Sequence, residues 1–146
     1  MILRIPQRRQ NDCAVCAVAM VMDSPYTYER VLKDSEDYPR RSRNGKFLPW
    51  WDGYLAHEGF ESAYCHLGGL YKLHEYGGSV VGLLGMTFPH LKAAHIVAVD
   101  ELGVLDPANN ALEHVPIQHY LSNRTFDGAL YRDEWLAVRS RSQPAR

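Results

Sequence analysis

The length, composition and charge of the chain indicate a small globular protein. Its 146 residues are enough for one domain with a real hydrophobic core, and its 46% apolar and 23% charged residues match globular averages. These fractions argue against a disordered chain and against a membrane protein. A formal net charge of −1 lacks the basic excess of general nucleic-acid binders, so we predict no nucleic-acid partner.

Targeting signals and cysteine usage point to the cytoplasm. The first ten residues contain no apolar run of signal-peptide length, and no stretch reaches the ~20 apolar residues of a membrane span. We therefore predict a cytoplasmic protein without a membrane segment. A reducing compartment would keep its three cysteines as thiols, which leaves packing or chemistry as their roles.

The first predicted element is a buried helix over Cys13–Met22. After an extended lead at residues 1–6, the run CAVCAVAMVM is apolar, free of Gly and Pro, and too long for a typical strand. Asp12 stands at the N-cap position, where a carboxylate accepts hydrogen bonds from the first free N–H groups of a helix. Ser24-Pro25 ends the element, and residues 26–33 are predicted to form an amphipathic helix.

The middle of the chain contains a polar segment followed by a helix and a strand. Residues 34–45 are charged and contain Pro and Gly, which predicts a long loop. Apolar residues then recur at helical spacing, which predicts a third helix over residues 48–58 with Gly59 as its C-terminal cap. A strand is predicted over residues 60–67.

The remaining sequence is mainly of β type. The run SVVGLL predicts a short buried strand, and AHIVAVDELGVLDP predicts a hairpin because two apolar runs flank a DELG turn. A short helix is predicted over residues 116–121 and a closing strand over residues 133–139, before a disordered tail at residues 140–146. With no internal repeat, residues 1–139 are predicted to form one α+β domain.

Three residues of these elements suggest nucleophilic chemistry. A thiol at the start of the first helix, as Cys13 would be, gains thiolate character from the helix dipole and the free N–H groups. Such a nucleophile needs a base of fixed tautomer. His95 opens one strand of the hairpin and Asp106 ends the other, so their side chains can meet across the ladder. Taken singly, Cys13 is explained equally well as a core residue. His95 alone could be a surface histidine, and Asp106 alone could be the Asp of an Asp-Pro turn.

A glutamine upstream of Cys13 is a candidate for stabilising an oxyanion. Acyl transfer places negative charge on the carbonyl oxygen, and loss of one preorganised donor costs ~10²–10³ in rate. Gln7 lies six residues before Cys13 and can present its amide beside the backbone N–H of that cysteine. Gln10 is a second, weaker candidate for this position.

The order Q-x4-DC, an apolar helix, and then HIVAV followed by LDP resembles the bacteriocin-processing peptidases. These papain-like cysteine peptidases remove double-glycine leader peptides, and the likeness covers roughly residues 5–138. It implies a papain-like α+β fold, with the nucleophile helix packed on a small antiparallel sheet. It also implies a triad of Cys13, His95 and Asp106. Gln7 then contributes to the oxyanion hole, and a peptide or protein is cleaved without metal or cofactor.

Substrate recognition is less defined by the sequence. The family usually has Gly immediately after its catalytic Cys, whereas this chain has Ala14. Trp50 and Trp51, together with the loop at residues 34–45, are candidates for holding substrate side chains. The alternative for both Trp residues is a place in the core.

Three other functions are compatible with the sequence. Cys13-x-x-Cys16 matches the spacing of a redox motif, or with Cys65 and His66 the ligands of a zinc site, although a second C-x-x-C is missing. A papain-like fold can also serve as a non-catalytic binding or inhibitory module. With the triad retained, an amidase or acyltransferase remains a third alternative to a peptidase.

Overall fold

The chain is an α+β structure in which helices pack on an antiparallel sheet, as predicted from the sequence. The computed structural model describes residues 4–8, 12–38, 41–43, 46–76, 80–88, 93–108, 114–126, 130–131 and 134–140.

Helices account for a large part of these residues. The described α-helices are α1 (Cys13–Met22), α2 (Tyr28–Ser35), α3 (Trp50–His57) and α4 (Ile117–Phe126), and a 3₁₀ helix covers Leu67–Tyr76. None of the helices in the described part of the chain has the length and apolar character that crossing a membrane would require.

The strands form one large sheet and one small hairpin. The described strands are β1 (Arg41–Arg43), β2 (Lys46–Leu48), β3 (Phe60–His66), β4 (Val81–Phe88), β5 (Ala93–Asp100), β6 (Gly103–Leu105), β7 (Leu130–Tyr131) and β8 (Glu134–Ser140). The large sheet has the order β3-β8-β4-β5-β6 with antiparallel pairing, and β7 adds to β4. The last strand, β8, therefore lies between β3 and β4.

The sheet is covered on both faces near β5, because successive strand residues point to opposite sides. Ile96 and Ala98 belong to the cluster that contains the buried residues of α1. Val97 and Val99 belong to a second cluster on the other face, together with Tyr120 of α4. Since α1 is apolar almost all round, it is buried nearly to its first turn, and it packs directly on β5 and β4.

Several predicted elements are confirmed by the structure. Helix α1 has the predicted bounds, and Gly59 follows α3 with a φ of 86°, the conformation expected of a glycine after a helix C-terminus. The hairpin β5–β6 also forms around the predicted turn. Asp100 pairs with Gly103, and the Asp100 carboxylate accepts a hydrogen bond from the Leu102 N–H at 2.9 Å, which closes the turn locally.

Other predictions are wrong in their bounds or their type. The second helix begins later than residue 26, because Thr27 caps it by accepting a hydrogen bond from the Arg30 N–H. The loop predicted at residues 34–45 contains the end of α2 and strand β1, and the helix predicted over residues 48–58 begins at Trp50, after β2. The 3₁₀ helix was not predicted, and α4 extends beyond residue 121 to Phe126.

The two ends of the predicted domain are only partly described. Ser140, assigned to the tail, is the last residue of β8, whereas residues 141–146 lie outside the described residues. Residues 1–3 of the extended lead also lie outside them.

Gly103 sits at a close crossing between β6 and the segment that leads into α4. Its φ is 135°, and a Cβ there would lie 2.3 Å from the carbonyl oxygen of Val115. We expect Gly103→Ala to lower the free energy of unfolding by about 2 kcal/mol or more, since backbone must move and the conformation is strained. Urea unfolding measures the change.

Gly85→Ala is the matched control for this prediction. Gly85 lies in β4, and a Cβ there would meet no atom within 4 Å. Its replacement should leave stability within about 0.5 kcal/mol of the parent or increase it. Equal stability losses in the two variants would contradict the importance of the Gly103 crossing.

Candidate active site

The hairpin brings His95 and Asp106 into direct contact, as predicted. Ala98 of β5 is paired with Leu105 of β6, so Asp106 follows directly after the ladder and lies diagonally across from His95. The Nε2 atom of His95 is 2.7 Å from Oδ1 of Asp106. The two side chains are 15% and 5% exposed, so this contact is shielded from bulk water.

Asp106 is held by donors on both of its oxygens. The backbone N–H of Ala108 donates to Oδ1 at 2.8 Å, and the hydroxyl of Tyr120 donates to Oδ2 at 2.5 Å. Burial by itself would raise the pKa of this carboxyl group. The bonds from His95, Tyr120 and Ala108 outweigh that effect and lower its pKa below the ordinary value. Asp106 is thus ionised and fixed in orientation.

Cys13 is the first residue of α1, and the imidazole of His95 acts directly on its thiol. Burial would raise the pKa of this thiol. The contact with His95 and the backbone N–H groups of Ile96 and Ala14 act in the other direction, and the net effect lowers its pKa. These donors stabilise a thiolate at the helix N-terminus, which is the environment that the sequence predicts.

The imidazole of His95 connects the thiol to the carboxylate. Because Nε2 faces Asp106, Nδ1 is the ring nitrogen that remains for Cys13. Burial would lower the pKa of His95, but the bonds with Asp106 and Cys13 outweigh it and raise the pKa to about 9. A lowered thiol pKa and a raised imidazole pKa together favour a thiolate–imidazolium pair near neutral pH.

The N-terminal lead runs beside Asp106 and so brings Gln7 to this region. The guanidinium of Arg4 donates to the carbonyl oxygens of Asp106 and Pro107 at 3.1 and 3.3 Å. The backbone N–H of Gln7 donates to the Pro107 carbonyl at 2.9 Å, and its side chain is half-buried with a buried amide oxygen. The other candidate, Gln10, lies outside the described residues.

Asp12 joins the lead to the start of α1. It is the N-cap residue of α1, as predicted, but its side chain makes no capping hydrogen bond to the helix. Its Oδ2 instead accepts from the Arg8 backbone N–H at 3.1 Å and from the Tyr28 hydroxyl at 2.7 Å. The carboxylate therefore ties the residue after Gln7 to α2 and to the helix that carries Cys13.

The two other cysteines differ chemically from Cys13. Cys16 is fully buried, its thiol donates to the Pro6 carbonyl, and burial raises its pKa to about 12. Cys65 is half-buried on β3, and all three cysteines are free thiols. Within the described ranges, no three His, Cys, Asp or Glu side chains are arranged to hold a metal ion. The burial that raises the pKa of Cys16 contrasts with the His95 contact that helps to lower the pKa of Cys13.

Trp50 and Trp51 are half-buried rather than exposed. Their rings are 5.7 Å apart and nearly perpendicular, and Trp50 also contacts the ring of Tyr54. Both pack on the edge of the cluster that contains α1. Both residues thus pack in part, and neither makes a hydrogen bond or ring contact with the triad among the described contacts. Their contact with substrate stays a prediction. Part of the loop at residues 34–45 lies outside the described residues.

A second His–Asp pair lies at the other end of the same hairpin. Nε2 of His114 is 2.9 Å from Oδ2 of Asp100, whose side chain is fully buried. Val115, the next residue, pairs with Val104 of β6 by two backbone hydrogen bonds. This second pair fastens the segment before α4 to the hairpin, and no described contact connects it to a thiol.

Tyr120 and two backbone donors belong to the site but were not predicted. Residues 116–121 predict a helix and nothing more, because contact between Tyr120 and Asp106 depends on how α4 packs. The residue pattern also does not predict that the Ala108 N–H donates to Asp106 or that the Ile96 N–H lowers the pKa of Cys13. The clearest sequence signal was Asp-Pro at the end of a strand, where an Asp accepts the N–H two residues on.

A scan against protein-family models gave no match, and a search of curated proteins gave none either. The function is therefore inferred from the residues of the site and their geometry.

Proposed function

We propose that the protein is a papain-like cysteine peptidase. Cys13 is the nucleophile, His95 its acid–base partner and Asp106 the residue that orients the imidazole. The single observation that carries this proposal is the 2.7 Å hydrogen bond between His95 and Asp106, set beside a thiol at the N-terminus of α1 whose pKa His95 lowers. A cysteine that served only in packing would need neither an imidazole partner nor donors to its sulfur.

The first half of the reaction forms an acyl-enzyme. The Cys13 thiolate attacks the carbonyl carbon of a peptide bond, and the new C–S bond leaves negative charge on the carbonyl oxygen. The Gln7 amide and the Cys13 backbone N–H stabilise this oxyanion. His95, protonated in the resting pair, then gives its proton to the leaving amine as the C–N bond breaks.

The second half releases the acid product. His95, now neutral, takes a proton from water, and the resulting hydroxide attacks the thioester. The C–S bond breaks, and the proton on His95 restores the thiolate–imidazolium pair. Throughout both halves, Asp106 keeps the imidazole in one orientation and stabilises its charged form, since its Oδ1 faces Nε2 at 2.7 Å. The chain's own groups carry out every step.

A peptide or protein segment is the proposed substrate, with leader peptides as the first class to examine. The packing of α1 on β4 and β5 supports the papain-like arrangement, because it sets the nucleophile at a helix start beside the strand that bears the His. The order of functional residues along the chain supports the resemblance to bacteriocin-processing peptidases.

Iodoacetamide labelling across pH 4 to 9 tests the proposal directly. We expect Cys13 to react selectively and well below pH 8, because its pKa is lowered by the contact with His95. Mass spectrometry of peptides identifies the labelled residue. When the series is extended above the His95 pKa of about 9, the thiolate persists but the imidazolium is lost, so peptide turnover should decline there while alkylation does not.

Two variants control this experiment. His95→Ala should move the pH midpoint of Cys13 labelling up toward that of an ordinary thiol, whereas Cys16→Ser should leave it unchanged because Cys16 bonds to Pro6 instead. Slow and uniform labelling of the cysteines, unaffected by His95→Ala, would contradict an activated Cys–His pair. A requirement for Cys16 would favour the redox or metal alternative.

A further inference from the structure

Tyr120 is a buried tyrosine whose polar end faces the triad. It lies on α4, is 2% exposed, and packs in the same cluster as Val97 and Met86. Its hydroxyl lies 3.9 Å from the Met86 sulfur and donates to Oδ2 of Asp106 at 2.5 Å. A tyrosine in such an apolar cluster must satisfy its hydroxyl, and here the partner is the carboxylate of the candidate site.

The Tyr120 bond complements the other bonds to Asp106. The His95 ring and the Ala108 N–H both use Oδ1, whereas Tyr120 uses Oδ2. With donors on both oxygens, the carboxylate cannot rotate about its Cβ–Cγ bond without breaking at least one hydrogen bond. Oδ1 therefore remains directed at Nε2 of His95.

The position of α4 is itself fixed by contacts outside the triad. Val115 pairs with Val104, and His114 bonds to the buried carboxylate of Asp100, immediately before the helix begins. The first turn then places Tyr120 through a hydrogen bond from its backbone N–H to the Pro116 carbonyl. The hydroxyl thus reaches Asp106 from a helix that is anchored independently of Cys13.

We propose that Tyr120 is a positioning residue of the peptidase site, which keeps Asp106 ionised and aimed at His95. This inference rests on the proposed function of the Cys13–His95–Asp106 chain. It assigns Tyr120 a role through Asp106 rather than any contact with substrate. The hydroxyl extends the pH range over which the thiolate–imidazolium pair is supported.

The direction of the effect follows from the charges around Asp106. In the described part of the chain, the charged and titratable groups that contact it are His95, Tyr120 and Arg4, whose guanidinium bonds to its carbonyl oxygen. Cys13 acts on it through His95. Removing the hydroxyl leaves Oδ2 without this donor, so the carboxyl group binds a proton at higher pH. A neutral Asp106 no longer supports the imidazolium, and the Cys13 thiolate is lost with it.

Tyr120→Phe in the full chain tests the inference, with iodoacetamide as the probe. We expect the acid limb of the Cys13 alkylation profile to move up by about half a pH unit to one unit, since hydrogen bonds to charged groups are the strong ones. Tyr54→Phe is the matched control. Tyr54 is also fully buried and donates to a carboxylate, Oδ2 of Asp34 at 2.8 Å, but not to the triad. It should leave the acid limb in place.

A second variant keeps the test decisive if Tyr120→Phe fails to fold. Replacing Tyr120 by 3-fluorotyrosine retains the ring and hydroxyl but strengthens the donor, so the acid limb should move to lower pH. A shift of the acid limb to lower pH in the 3-fluorotyrosine variant supports the inference by itself, and an opposite shift in a folded Tyr120→Phe variant adds to it. An unchanged limb in a folded variant, or equal shifts in Tyr120→Phe and Tyr54→Phe, overturns it. If Cys13 of the unmodified protein is labelled like an ordinary thiol, the proposed function itself is contradicted, whatever the Tyr120 variants show.

Discussion

Replacing Asp106 by asparagine should lower the alkylation rate of Cys13 at pH 7 by about 10- to 100-fold. Asparagine has nearly the same shape but lacks the charge that holds the His95 pKa at about 9. If the His95 pKa falls by one, the balance between its two protonation states changes by about 1.4 kcal/mol, which is a tenfold change in the equilibrium constant for the thiolate–imidazolium pair. Rate constants with iodoacetamide, measured on the mapped Cys13 peptide, give the effect.

Asp100→Asn provides a matched control on the same hairpin. Asp100 is as deeply buried as Asp106 and contacts His114 at 2.9 Å, so the substitution removes a similar charge from a similar His–Asp pair. It should lower stability without slowing the alkylation of Cys13. Similar alkylation rates in the parent and in Asp106→Asn would contradict the role of Asp106, and an equal loss in both variants would indicate a general loosening of the hairpin.

The part of the site that could be predicted from sequence is the part encoded locally. The apolar run CAVCAVAMVM defines α1 and its first residue Cys13, and the hairpin follows from two apolar strands around a turn. That turn is closed by Asp100 within its own four residues. Since hairpin register follows from the turn, the contact between His95 and Asp106 could be predicted across only 11 residues.

The parts that were missed depend on distant packing. β8 pairs with β3 over its whole length, although the two strands are more than sixty residues apart in the chain, and no local pattern specifies that pairing. Tyr120 reaches Asp106 only because α4 packs on β6 and the 3₁₀ helix. Such contacts form only in the assembled core. There, burial against residues distant in the chain selects one strand pairing or helix position among several that the local sequence allows equally.

Asp12 shows a local preference that loses to tertiary contacts. An Asp before a helix normally accepts from the N–H groups of the first turn. Here the Tyr28 hydroxyl and the Arg8 N–H occupy its Oδ2, and the side chain makes no cap bond to α1. Because Asp12 is buried, a hydrogen bond to another buried group stabilises more than a cap at the helix end, and it also fixes the segment that contains Gln7.

Replacing Gln7 by alanine should separate the two kinds of reactivity at Cys13. Acylation of the thiol by p-nitrophenyl acetate develops an oxyanion, and we expect its rate to fall by about 10² to 10³, the usual cost of losing one such donor. Alkylation by iodoacetamide passes through no oxyanion, so its rate should stay within about twofold. Release of p-nitrophenolate, corrected for the rate of Cys13→Ser, measures the acylation.

Comparing the acylation rate with the alkylation rate shows whether Gln7 donates to the oxyanion or only supports the packing. Gln7 is fixed by its backbone bond to Pro107, so an alanine there keeps the main-chain anchor and removes only the amide. Gln118→Ala, on the exposed side of α4, removes an equivalent amide away from the lead segment and should change neither rate. A parallel fall in acylation and alkylation would mean that Gln7 supports the thiolate or the local fold, while an unchanged acylation rate would remove it from the oxyanion hole. A fall in acylation alone assigns its amide to the transition state, because only there does the carbonyl oxygen carry the charge that this donor stabilises.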